Sequence, residues 1–248
     1  MAVFEQKDNN LWQPGKIASG PFSGLQGGAV AALLVGEIEQ KASEENWGQV
    51  ITVNVSFLKP TPLEELCTRT RLVISGKRIT VVENSVFRAD GEVTAVAQIT
   101  LANKNEINIP SFEPQRSEPV DPTSLQRTFP KAMHGGEWFM DAMEVRGDGQ
   151  VSWFRMLEDV VSGAGTMAKI VGPADWAHGI NRPVRNVVAD PNVSLTVQIT
   201  RPPVDEWLGL EPVTHWEPDA GLGMGFSFLK DRCGVIGQVS MSVVLVQL

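Results

Sequence analysis

Asp175 and His178 stand three residues apart in Ala174-Asp-Trp-Ala-His-Gly179, and a carboxylate and an imidazole are the two side chains best suited to proton transfer near neutral pH. Two readings of each are open. Asp175, beside Trp176, could act as a base, or it could cap a helix or turn by accepting from backbone donors. His178, before Gly179, could act as a general base or close a helix end. A second candidate is Gly27-Gly28, at the head of an apolar stretch. Glycine there lets a ligand approach the helix N–H groups, whose dipole polarises a carbonyl oxygen; it would equally let the helix enter a tight turn and pack closely. Lys59, Arg201, Lys77 and Arg78 are the cations that could meet a phosphorylated ligand. Lys59 and Arg201 could instead form ion pairs with Glu64 and Glu206. His215, after Thr214, is either pocket-lining or exposed, and Glu37 and Glu39 are expected to be solvated or interface charges. No serine lies in a G-x-S-x-G elbow, the chain has no tyrosine, and Cys67, Cys233 and His134 have no zinc-site spacing. No metal and no cofactor are expected.

The elements that must position these residues occur twice. Val53-Asn-Val-Ser-Phe-Leu-Lys-Pro60 followed by Glu64 and Leu66 matches Leu195-Thr-Val-Gln-Ile-Thr-Arg-Pro202 followed by Glu206 and Leu208, at a constant offset of 142 residues (202 − 60). A turn carrying Gly91 recurs as one carrying Gly234, with a slip of one residue. Two copies of one sheet-forming unit imply a duplicated fold with a site shared between the copies.

In the first unit, residues 26–42 read as a helix that is almost wholly apolar to Val35 and therefore buried on most sides. Strands follow at about 49–58, 66–75, 79–88 and 93–102; the first alternates with period two as Val53-Asn-Val-Ser-Phe57, and Ser75-Gly-Lys-Arg78 and Ala89-Asp-Gly-Glu92 read as hairpin turns. Residues 103–130, holding five of the 16 prolines, read as a surface linker. In the second unit a strand at 150–156 precedes a small-residue helix from Asp159 to about Ile170. Strands at about 193–201, 208–217, 222–230 and 235–247 close it. The expected division is 1–102, the linker 103–130, and 131–248, in an α+β fold. The formal net charge of −8 argues against a general nucleic-acid binder. No apolar run reaches the roughly 18 residues of a membrane span, the first residues lack a secretory signal pattern, and two cysteines suit a reducing cytoplasm.

A helix wrapped by an antiparallel sheet, present twice, resembles the double hotdog fold. Gly20-Pro-Phe-Ser-Gly-Leu-Gln-Gly-Gly-Ala-Val-Ala-Ala-Leu-Leu34, Ala174-Asp-Trp-Ala-His-Gly-Ile180 and Asn192-Val-Ser-Leu-Thr-Val-Gln-Ile-Thr-Arg-Pro-Pro203 with Glu206-Trp-Leu208 resemble the thioesterase-like superfamily, which includes the bacterial thioesterase II type acyl-CoA hydrolases. The resemblance implies hydrolysis of an acyl-CoA thioester by direct attack of an oriented water. It implies an Asp, a Ser/Thr and a Gln around that water, at positions that fall on Ser194, Thr214 and Met241 or Ser242. Only the Thr is kept, while Gln98 of the first unit lies opposite Met241. The expected catalytic set is Ser194, Thr214, Asp175 and Gln98. Gly27, Gly28, Lys59, Arg201, His178 and Ser242 are the expected substrate-binding residues, with acyl-CoA as the partner. The departures keep a second reading open, a non-hydrolysing acyl-thioester binding protein. A hotdog dehydratase or hydratase using Asp175 and His178 is a third. A homo-oligomer is expected, because outer faces of such sheets often pair.

Overall fold

The computed structural model describes residues 2–110, 113, 116–128, 137–181 and 188–247. His134, Pro114, Pro130 and parts of the expected linker lie outside the described residues. The first unit comprises β1 (Phe4–Asp8), β2 (Leu11–Pro14), α1 (Gly27–Glu45), β3 (Gln49–Phe57), β4 (Leu66–Ser75), β5 (Ile79–Phe87) and β6 (Val93–Ala102). The second comprises β7 (Gln126–Arg127), β8 (Met143–Gly147), β9 (Ser152–Met156), α2 (Thr166–Ala174), β10 (Val188–Ala189), β11 (Ser194–Ile199), β12 (Trp207–Glu217), β13 (Leu222–Asp231), β14 (Gly234–Val244) and β15 (Val246–Gln247).

Thirteen of the strands form one sheet in the order β1-β2-β4-β5-β6-β3-β11-β14-β13-β12-β9-β8-β7. Read outward from the centre, both halves follow the same plan, and this is the α+β double hotdog. The halves meet where β3 pairs antiparallel with β11, Val53 opposite Val197 and Val55 opposite Leu195. Asn54 therefore faces Thr196, its own counterpart 142 residues on (196 − 54), and the two side chains hydrogen-bond at 3.2 Å. The pseudo-twofold axis of the duplication passes through this pair.

Period-two burial orients the strands. On β11, Leu195, Val197 and Ile199 are buried, and on β14 so are Val239, Met241 and Val243. Gly91 and Gly234 take positive φ (86° and 124°) at the tight turns, where a side chain would be strained. From Gly28 to Ile38, α1 is buried throughout, and it ends where Asn46 turns left-handed and donates its N–H to Ala42 O. The helices touch closely: a Cβ at Gly28 would stand 2.4 Å from Gly172 O.

The structure corrects one local expectation and adds an N-terminal hairpin. The second helix starts at Thr166, not Asp159, because residues 159–161 are tied to the N-terminal strand. Val3 and Phe4 donate to Asp159 O and Val160 O, and Phe4 bridges Val161 in parallel. The N-terminal hairpin β1–β2, unread in the sequence, seats Phe4 and Trp12 in the core, with Trp12 Nε1 donating to Thr68 Oγ1 at 3.2 Å. Among the described residues no helix is long and apolar enough to cross a membrane.

Candidate active site

The start of α1 opens onto a cavity of about 290 Å³ between the two units. Its wall is built from the loop before α1, the end of β3 and the loop after it, the turn following α2, and the segment Asp190–Val193 leading into β11. α1 begins here because Gln26 is extended and its carbonyl accepts the first helical bond, from Val30 N. Gly27 lies so close to its neighbours that a Cβ would meet Asp175 Oδ1 and the Phe57 ring at 3.3 Å.

Asp175 is the centre of the site. The carboxylate comes from the second unit, at the C-terminal end of α2, and is 1% exposed. Its Oδ2 accepts from Gln26 Nε2 at 2.8 Å and from Gly28 N at 2.9 Å, and its Oδ1 accepts from Asn192 Nδ2 at 2.8 Å. It thus caps the helix of the other unit, where the dipole favours negative charge. A carboxylate offers about four lone-pair sites, and these three donors leave one on Oδ1. The bond to the carboxylate also fixes the Gln26 amide, because its NH₂ must face Asp175. Its oxygen, Oε1, is buried with no hydrogen-bond partner among the described residues. A buried acceptor without a donor is costly in a dry protein, so the site is built to receive an O–H or N–H.

His178 also borders the cavity but braces the wall. Nδ1 lies 2.9 Å from Met241 Sδ and Nε2 3.1 Å from Asp190 O. The ring ties the turn after α2 to β14 and to the segment that delivers Asn192. Thr214, Gly225 and Met241 lie in one row across β12, β13 and β14, with His178 packed on Gly225.

Of the positions expected from sequence, the cavity gathers Asp175, Gly27, Lys59 and His178, with Gly28 donating to Asp175. It does not gather Ser194, Ser242, Gln98, Thr214 or Arg201. Ser194 alternates with the buried Leu195, so it belongs to the opposite face of β11; its Oγ accepts from Ser242 N at 3.1 Å. Gln98 is exposed on β6, and Ser242 is exposed on β14. Thr214 is half-buried behind His178 and off the cavity lining.

The two cations of the repeat part company. Lys59 stands at the cavity mouth and pairs with Glu92, not Glu64. Arg201 pairs with the buried Asp231, not Glu206. Burial pushes the Asp231 carboxyl up, but the bonds from Arg201, Cys233 N and Val204 N and the charge of Arg201 together outweigh it and hold the carboxyl below its usual range. Lys77 and Arg78 are exposed and off the lining, as is His215. Of the two readings left for Glu37 and Glu39, solvated or interface charges, the structure favours the interface. Glu37 is 2% exposed, held by Lys41 and Asn84, while Glu39 accepts from Met167 N and Ala168 N at the start of α2. Three wall residues had no sequence signal beyond their neighbours: Gln26, Asp190 and Asn192. Their roles arise from contacts distant in the chain. Among the described residues no cluster of His, Cys, Asp and Glu could hold a metal ion.

Residues 18–102 match the family model of the acyl-CoA thioesterase N-terminal domain. Against curated proteins the sequence gives no match. Solved structures match over nearly the whole chain. A protein of Novosphingobium aromaticivorans described as a thioesterase superposes with a TM-score of 0.76 at 18% identity, covering 99% of each chain. A hot dog fold protein of Alicyclobacillus acidocaldarius gives 0.72 at 16%, covering 98% of this chain and 95% of its own. The acyl-CoA thioesterase II of Mycobacterium marinum gives 0.69 at 13%, covering 99% and 95%. By family match over residues 18–102 and by fold over its whole length, the chain is built like the double hotdog thioesterases.

Proposed function

We propose that this protein hydrolyses an acyl-CoA thioester by direct attack of water at the start of α1. The observation that carries this reading is the Gln26 amide oxygen, buried and without a donor among the described residues, beside an Asp175 carboxylate held by three donors. A water donating to Gln26 Oε1 and Asp175 Oδ1 would be held by two acceptors, leaving its lone pair to attack. The thioester carbonyl would lie against the first turn of α1, where Gly27 lets it approach the backbone and the positive end of the helix stabilises the oxyanion. Attack forms the new C–O bond as Asp175 takes a proton from the water. Collapse breaks the C–S bond, and the proton passes to the departing thiolate, giving a free acid and CoA. Lys59, at the mouth, is placed to meet a phosphate of the CoA.

In this reading Gln26, Asp175 and Asn192 do the work that the resemblance had assigned to Ser194, Thr214 and Met241 or Ser242. The test is free-thiol release from a panel of acyl-CoAs. Asp175→Asn keeps the shape but sets an NH₂ against donors, and turnover is expected to fall by about 10²–10⁴-fold. Asp175→Asn turnover equal to that of the unmodified protein overturns the assignment. Acyl-CoA binding intact with no turnover in the unmodified protein favours the non-hydrolysing binder.

A further inference from the structure

We propose that this site selects short acyl groups, of about four to six carbons, and rejects long-chain acyl-CoA. The inference rests on the hydrolytic site above for the placement of the thioester. The cavity has an open and a closed end. Leu58, Val193 and Phe22 are 52%, 40% and 38% exposed and rim the mouth beside Lys59. Val30 and Trp176, also in the wall, are 1% and 5% exposed and belong to the core. Trp176 is held edge-to-face by Trp138, ring centres 5.4 Å apart at 86°, so it is braced against swinging aside.

The nucleotide end of CoA is far larger than the cavity and must stay outside, on the Lys59 side. The acyl chain then points inward, towards Val30 and Trp176. An apolar cavity of about 150 Å³ takes one benzene. The roughly twofold larger volume here holds the thioester sulfur with an acyl group of about four to six carbons, its carbonyl carbon included, and then meets close-packed core. Each methylene beyond the fit is expected to cost about tenfold or more in kcat/KM.

Two measurements test this on the whole chain. Dissociation constants are measured for hydrolysis-inert S-alkyl-CoA thioethers, from about two to sixteen carbons, and kcat/KM for the matching acyl-CoAs. Binding is expected to be tightest at about four to six carbons and at least tenfold weaker at twelve. Val30→Ala removes two methyl groups from the closed end and is expected to move the optimum by about one or two carbons towards longer chains; it is a milder change than Trp176→Ala, which removes a whole core ring. Thioether affinity level or rising through sixteen carbons, or an optimum unmoved in Val30→Ala, overturns the proposal. Short-chain thioether binding without hydrolysis keeps chain selection and defeats the hydrolytic reading. Hydrolysis favouring long chains does the reverse, and binding of none of the thioethers defeats both.

Discussion

The two helix starts show how one scaffold came to carry unequal sites. At the start of α1, Asp175 from the second unit accepts from Gly28 N; at the start of α2, Glu39 from the first unit accepts from Met167 N and Ala168 N at 2.7 and 3.0 Å. Each unit thus caps the helix of the other, and a cavity lies beside each start, about 290 Å³ at α1 and about 260 Å³ at α2. The surroundings differ. The α1 cavity has Phe57, Trp176 and Val30 in its wall and the Gln26 oxygen, which has no partner among the described residues. The α2 cavity has Lys169, Asp205 and Glu206 in its wall, and both oxygens of Glu39 are committed to backbone donors. Reciprocal capping holds the duplicated fold together; chemistry needs, in addition, an apolar chamber and an acceptor left over.

The largest difference between the units is expected at Lys59 and Arg201. The repeat places them alike, yet the Arg201 side chain is 20% exposed against an Asp231 that is fully buried, while Lys59 is 54% exposed. Arg201→Ala would strand a buried carboxylate with only its backbone donors, and should lower the unfolding free energy by about 2–4 kcal/mol. Lys59→Ala should leave the urea midpoint unmoved and raise KM for acyl-CoA. Equal loss of stability in the two variants would mean that the units did not divide these tasks.

Next in size is the helix contact. α2 begins on Thr166 and Met167, which carry side chains, whereas α1 begins on Gly27 and Gly28. A Cβ at Gly28 would stand 2.4 Å from Gly172 O and 2.8 Å from Asp175 Cβ, and neither backbone nor a threefold-bonded carboxylate yields easily. Gly28→Ala should therefore cost about 1–3 kcal/mol in denaturant unfolding, despite alanine's better helix propensity, and should lower turnover by displacing Asp175. Unchanged stability would show that the helices are free to separate.

The fold was legible because its signals are local and repeated. β4 and β6 run over 66–75 and 93–102 as read, bounded by the turns at 76–78 and 89–92, and the 142-residue offset survives as the Asn54–Thr196 pair at the axis. The start of α2 was misplaced because Val160 and Val161 look helical, yet pair with an N-terminal strand some 157 residues earlier (161 − 4). In the site, Asp175 could be named from its type and neighbours, but not its three donors, two of which lie nearly 150 residues away. Ser194 shows the limit of motif register. A shift of one residue on a strand moves a side chain to the other face, and the buried neighbour Leu195 puts Ser194 on the face opposite the core.

The smallest expected effect lies at Glu39, and it would separate the two caps by pH. Burial pushes the Glu39 carboxyl up from 4.5 to about 6, against the opposing pull of bonds from Met167, Ala168 and Gly165 and the charge of Lys169. An unfolded chain releases this proton near 4.5, so between about 4.5 and 6 the folded protein holds a proton that the unfolded chain has lost. Stability from this group is therefore greatest below that window, falls as pH rises through it, and stays lowered above it, by about 1–2 kcal/mol. Glu39→Gln cannot ionise and keeps one acceptor for the α2 start. Its loss of unfolding free energy between about pH 4.5 and 7.5 should be smaller than that of the unmodified protein by the same 1–2 kcal/mol. Identical pH profiles for the two proteins would mean that Glu39 titrates like an ordinary surface carboxylate, and that the α2 start is wetter than its burial implies.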